Sequence, residues 1–173
     1  MNNPKAEVNA GSFRDRDGRV YEYQGRIFRG LSEDALQCFR QLQEKPFYTK
    51  LVESGKVVGT RELSAPENPL PDGLRQQWAG FLEHDPISVV SYPYEWTFSM
   101  LKAAASLQLH LVERAVSNGF TLKDATPYNI QFVNRKPVFI DIPSFEQLEE
   151  GEPWSGYRQF CEMFLFPLML QAY

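Results

Sequence analysis

The chain places a carboxylate at Asp124, a carboxamide at Asn129 and a second carboxylate at Asp141. All three are hard oxygen donors. A carboxylate in such a set could orient or deprotonate a hydroxyl, and a carboxylate with a carboxamide could hold a hard cation such as Mg²⁺ on phosphate oxygens. Lys123 is a neighbouring cation that could meet a phosphate, or equally hold Asp124 in an ion pair. Asp124 is thus the candidate catalytic base, Lys123, Asn129 and Asp141 are candidate nucleotide-site residues, and Asn129 and Asp141 are the candidate metal ligands. The same residues also have an ordinary reading: Asp124 and Asp141 as caps, and Asn129 as a turn residue.

Such chemistry needs elements that bring distant residues together. Asn129-Ile130-Gln131-Phe132-Val133 alternates like a strand, Asn134-Arg135-Lys136 reads as a turn, and Pro137-Val138-Phe139-Ile140 is a second apolar strand ending on Asp141. A carboxylate at the end of an apolar strand is costly to bury without a metal or a cation. Upstream, 98–117 is the strongest helix pattern. Leu101, Ala104, Ala105, Leu107, Gln108, Leu111, Val112 and Ala115 trace one stripe, which Asn118-Gly119 closes.

This arrangement resembles the active site of protein kinases, whose catalytic loop reads H-R-D-L-x-x-x-N before a D-F-G. The departures are specific. Leu122 stands in the place of the His and Lys123 in that of the Arg, and D-F-G becomes Asp141-Ile142-Pro143. A Pro there fixes φ where Gly would be free. Neither a G-x-G-x-x-G loop nor a V-A-I-K strand is recognisable, so the metal-binding half of the machinery is legible and the nucleotide-clamping half is not.

Short strands are expected at 19–23 and 26–29 around Gln24-Gly25, at 56–63 and at 87–92, with helices between 32 and 54, a loop at 64–73 and a short segment through Trp78, Phe81 and Leu82. The expected fold is α+β and protein-kinase-like. It comprises a flexible N-terminus (1–16), a small N-lobe-like sheet part (17–92) and a partial helical C-lobe-like part carrying the hairpin (93–173). Residues 145–152 read as an acidic loop, and 154–172 as an aromatic-rich helix kinked at Pro167. A full C-lobe would run on for roughly a hundred further residues.

The 173 residues are 43% hydrophobic, enough for an ordinary core, and the net charge is −4. An acidic balance argues against a broad nucleic-acid or anionic-membrane partner. No apolar run approaches the ~20 residues of a membrane span. Cys38 and Cys161 read as buried, reduced thiols, and with a polar, leaderless start they suggest a cytoplasmic protein. His110 reads as a packing or surface residue rather than a ligand.

Four phrases, Ile87–Phe98, Thr121–Phe132, Pro137–Asp141 and Pro153–Cys161, resemble bacterial proteins usually called SAM-dependent methyltransferases, nodulation-type homologues among them. The resemblance covers most of the chain from about residue 12. It implies that this stretch is an N-terminal, kinase-like region and that SAM binds in a following Rossmann-like domain. No Gly-rich nucleotide turn of that kind occurs in this sequence. The implied function is a substrate- or partner-binding, pseudokinase-like domain that does not itself methylate. The alternatives are a Mg²⁺-dependent phosphotransferase with Asp124 as base, and an inactive structural fragment. Tyr92-Pro93-Tyr94-Glu95-Trp96 suits a binding surface, or a core at that aromatic density. The 160–170 helix, with Phe160, Phe164, Leu165, Leu168 and Leu170, is expected to leave an apolar face for the methyltransferase domain or for self-association.

Overall fold

A computed structural model describes residues 6–8, 17–149 and 151–172. In chain order the elements are β1 (Glu7–Val8), β2 (Gly18–Tyr23), β3 (Arg26–Leu31), α1 (Glu33–Gln43), α2 (Pro46–Glu53), β4 (Thr60–Glu62), α3 (Asp72–Arg75) and β5 (Gly80–His84). They continue with α4 (Phe98–Val116), β6 (Phe120–Leu122), β7 (Ile130–Val133), β8 (Lys136–Phe139), β9 (Phe145–Gln147), α5 (Tyr157–Phe160) and α6 (Phe166–Ala172). The chain divides into two compact units, one of residues 1–41 with 59–86, the other of residues 42–58 with 87–173. The expected flexible stretch 1–16 lies outside the described residues, apart from residues 6–8.

The first unit is a five-stranded antiparallel sheet in the order β1-β2-β3-β5-β4. The β2–β3 hairpin turns at Gln24 and Gly25, both at positive φ, as a tight two-residue turn requires. One face carries Tyr21, Tyr23, Phe28 and Phe81, packed with Leu63, Leu70 and Trp78. The Trp78 indole N–H donates to the Tyr21 hydroxyl at 2.9 Å. Gly30 is required beneath that indole, because a Cβ there would overlap the ring. Arg26 and Arg61 both approach the Glu83 carboxylate at 2.6 Å, and the Arg26 bond is the main reason this carboxyl lies below its usual range. On α1, Leu36 packs against Gly80, and Arg40 forms a two-pronged pair with Glu62.

The second unit is mainly helical. Its core joins Phe47, Tyr48 and Leu51 of α2 to Leu101, Ala104, Leu107 and Leu111 of α4, and to Phe120, Phe139 and Phe145. Ring contacts run from Phe47 to Phe120 and from Tyr48 through Phe145 to Phe139. The Thr97 hydroxyl accepts from the Met100 N–H to cap α4. Gly119, at positive φ, carries the chain out of the helix into β6.

Several expectations need correction. Ile87–Tyr92 is an exposed loop, not a buried strand: Val89 is 73% exposed. Pro86 and Pro93 bracket it, and the strand beside β3 and β4 is β5. Only Thr60–Glu62 of 56–63 is a ladder strand, since Val57 instead bridges Phe139 in the second unit. The two helices expected between 32 and 54 divide between the units, with most of α1 in the first and α2 in the second. Phe145–Gln147 is not loop but a strand, paired with β6. The break in the last helix precedes Pro167: Cys161–Leu165 is a π turn. A proline ring clashes with the carbonyl four residues back, and an extra residue in the preceding turn relieves that clash. Cys38 is half-buried; Cys161 is buried.

His84 supplies a test of the first unit. Its Nδ1 lies 2.9 Å from the Thr60 hydroxyl, and its Nε2 is buried without a hydrogen-bond partner. Burial, reinforced by the Arg29 charge and partly offset by Glu83, pushes its pKa from 6.5 down to about 3. The folded state therefore resists the proton that the unfolded chain accepts. The stability contribution is complete above pH 6.5 and is lost as pH falls from there toward 3. Urea unfolding at pH ~5.5 should show a loss of about 1.4 kcal/mol relative to pH ~7.5 from this residue. His84→Gln should flatten that slope; an unchanged slope would assign it to other groups.

Candidate functional site

The candidate residues lie in the second unit, where β6 ends and the chain turns toward the β7–β8 hairpin. Leu122, the last residue of β6, is fully buried, and its carbonyl accepts from the Trp154 indole N–H at 2.7 Å. Beyond it the chain leaves the ladder, so side chains and nearby backbone must satisfy its polar groups. The Lys123 N–H donates to the Ser144 carbonyl at 2.9 Å, and the Asp124 N–H to the Ser144 hydroxyl at 3.3 Å. The Asp124 carbonyl accepts from the Gln108 amide at 3.0 Å, and the Ala125 N–H donates to the Gln159 side-chain oxygen at 2.7 Å. Four elements thus fix the backbone around Asp124.

Thr126 caps the single turn Pro127–Asn129, its hydroxyl accepting from the Tyr128 N–H. The chain then enters β7. Asn134 and Arg135, both at positive φ, reverse it into β8. The register pairs Ile130 with Phe139, and the Ile140 N–H donates to the Asn129 carbonyl at 2.9 Å. That register sets Asn129 beside Asp141: the Asn129 side-chain N–H donates to the Asp141 carboxylate at 3.2 Å. The Asp141 carbonyl accepts from the Ser144 N–H, so Ser144 contacts the backbones of both aspartates.

The structure brings Asn129 and Asp141 into direct contact and joins the Asp124 and Asp141 segments through Ser144. Lys123, Asp124, Asn129 and Asp141 are all half-buried. No cluster of three acidic, His or Cys side chains suited to a metal occurs among the described residues. The donor chemistry nevertheless fits Mg²⁺: one carboxylate and one amide oxygen suffice for an ion that keeps several waters and shares phosphate oxygens. Asp141 and Asn129 would hold it, and it would screen phosphate charge.

Sequence reasoning missed the residues that hold this loop in place. Ser144, Gln159 and Trp154 had no individual signal. Gln108 had one, since it is a polar side chain within the apolar stripe of α4 and is fully buried.

These features match known structures. Vaccinia related kinase 3 superposes with a TM-score of 0.54 over 87% of this chain and 54% of its own, at 13% identity. The fold is protein-kinase-like. No family model matches the chain. Nodulation protein NoeA of Rhizobium meliloti (strain 1021) is 39% identical over 169 residues, which is 98% of this chain. The chain spans about a third of that protein, 34% of its length. The resemblance to nodulation-type proteins expected from the four phrases is therefore found, and the chain is a kinase-like domain corresponding to part of a larger relative.

Ser144→Ala should leave the Asp124 N–H without its acceptor inside a buried seam. A loss of about 1–2 kcal/mol in urea unfolding is expected, with faster hydrogen exchange at the Asp124 amide than at those of α4. Unchanged exchange at Asp124 would remove Ser144 from this role.

Proposed function

We propose that this chain is the substrate- or partner-binding, kinase-like part of a larger nodulation-type protein, and that it transfers neither phosphoryl nor methyl groups itself. The observation that carries this reading is the Asn129–Asp141 hydrogen bond. Two side chains that would hold a metal are engaged with each other, and this contact serves the fold without any ligand. Leu122, in the place of the catalytic-loop His, is buried in a strand and offers no polar group. Pro143, in the place of the D-F-G glycine, lies in a tight turn, Ile142–Ser144. Methyl transfer, which the family resemblance implies, would belong to regions that a longer protein carries beyond this domain.

The apolar surface near the C-terminal end supports a covering partner. Phe160 and Phe164 pack inside the unit, unlike the continuous face expected from sequence, and Leu168 is half-buried. Leu165, Phe166, Met169 and Leu170 remain exposed on the π turn and α6. We assign this face to the methyltransferase domain of a longer protein, or to a second copy. No helix among the described residues is long and apolar enough to cross a membrane, and both cysteines are free thiols, in keeping with a reducing, cytoplasmic setting.

A second reading rests on the oxygen-donor types of Asp124, Asn129 and Asp141: a weak Mg²⁺–ATP site with Asp124 as base and Lys123 near the phosphates. Calorimetric titration with ATP, with and without Mg²⁺, separates the readings. The first expects no saturable heat in either case. Saturable, Mg²⁺-dependent binding that vanishes in Asp141→Asn would establish the second. Independently of nucleotide, Asp141→Ala removes the acceptor of Asn129 and should cost about 1–2 kcal/mol in unfolding experiments. Asp141→Asn, which keeps an acceptor oxygen, should cost less.

A further inference from the structure

The loop between β5 and α4 is exposed yet firmly held. The Ser91 N–H donates to the Gln131 side-chain oxygen at 2.9 Å, and the Gln131 amide donates back to the Ser91 carbonyl at 3.1 Å. Gln131 itself is buried on β7. The Trp96 indole N–H donates to the Ser91 hydroxyl, and its ring packs edge-on against Phe132 with centroids 5.0 Å apart. The Glu95 carboxylate accepts from the Tyr92 N–H at 2.7 Å, closing a turn over Pro93–Glu95. Ser91 and Trp96 thus tie the loop to the β7–β8 hairpin.

Its outward groups are large aromatics. Tyr94 is 76% exposed, Tyr92 is also exposed, and the two rings stack in parallel with centroids 5.5 Å apart. Tyr128, exposed on the single turn between Asp124 and Asn129, completes the group. Slight desolvation by its neighbours, and then Glu95, Tyr92 and Tyr128, raise the pKa of the exposed Tyr94 phenol, which puts Tyr128 within electrostatic reach of it. A stacked pair of exposed rings, one carboxylate and the exposed Tyr128 ring thus lie together beside the candidate catalytic loop. Ring faces carry a negative quadrupole and attract cations, most often guanidinium, and a nearby carboxylate adds to the attraction. A purely apolar partner would desolvate the phenols and the exposed Glu95 carboxylate without offering them a further donor.

We propose that Tyr92, Tyr94, Tyr128 and Glu95 form a binding site for an arginine side chain presented by a polypeptide partner. Stacked rings fixed by a pre-formed loop lose little conformational freedom on binding, and Tyr and Arg are the residues that concentrate binding energy at protein surfaces. The site needs neither nucleotide nor metal, so its test is separate from that of the phosphate-binding reading.

The test is an NMR titration of the whole chain with a short capped peptide carrying one arginine, in the absence of ATP and Mg²⁺. The ring signals of Tyr92, Tyr94 and Tyr128 should shift together and saturate. The same peptide with citrulline, isosteric but uncharged, should bind at least ~5-fold more weakly. Tyr94→Leu, which keeps an apolar side chain and loses the quadrupole, should weaken arginine binding by a similar factor, whereas Tyr94→Trp should retain or strengthen it. Equal binding of the citrulline peptide, or unchanged binding by Tyr94→Leu, would overturn the proposal. Equal affinity for free arginine amide would overturn its assignment to a polypeptide.

Discussion

Irregular backbone inside a packed unit must find hydrogen-bond partners, and in this chain the segment after β6 finds them in side chains and turns drawn from four separate elements. Gln108 from α4, Ser144 from the turn after β8, Gln159 from α5 and the Trp154 indole converge on residues 122–125. Leaving any one of these backbone groups unsatisfied would cost on the order of 1–3 kcal/mol. The loop conformation is therefore dictated by its surroundings more than by its own sequence. This constraint also fixes where Asp124 stands, because its N–H is bound by Ser144 and its carbonyl by Gln108. The hairpin supplies the second half. Its register is set by the Asn134-Arg135 turn and by the apolar pairing of Ile130 with Phe139, and that register brings Asn129 to Asp141.

Much of this was readable from the residues themselves. The helix stripe from Leu101 to Ala115, the hairpin with its polar turn and the Gln24-Gly25 turn depend on local periodicity and on backbone preferences, and these appear where expected. What failed depended on partners far away in sequence. Ile87–Tyr92 has the composition of a buried strand, but β5 already pairs on both sides, with β3 and β4. The backbone of the loop turns instead to the Gln131 side chain. Phe145–Gln147 looked like a loop because it is short and followed by glutamates, yet Phe120–Leu122 offers it a complete ladder. In both cases the arrangement of neighbours outweighed composition, as strand preferences commonly allow.

The candidate site divides in the same way. Asp124, Asn129 and Asp141 were found by type and spacing, whereas Ser144 and Gln159 were not, because their role lies in a contact with a backbone amide that leaves no pattern in sequence. Gln108 is the exception that could have been read. A carboxamide on an apolar helix stripe is expensive to bury without a partner, so its presence there announces a polar target within the core. That target is the Asp124 carbonyl.

The Asn129–Asp141 contact gives a physical reason for these two residue types that does not require catalysis. A carboxylate at the end of β8 needs a donor, and the amide at the start of β7 supplies one without introducing a charge that would itself need a partner. The pair closes the open end of a two-stranded hairpin, which alone would be marginal. Replacing the flexible glycine after Asp141 by the Ile142-Pro143 turn then holds the carboxylate against that amide rather than letting the segment swing. The kinase-like arrangement of these two residues is thus held by the protein's own side chains, because the Asn129–Asp141 hydrogen bond ties the end of the hairpin to the loop. A surface loop locked onto that hairpin through Gln131 inherits its rigidity, and rigidity is what an aromatic binding surface needs.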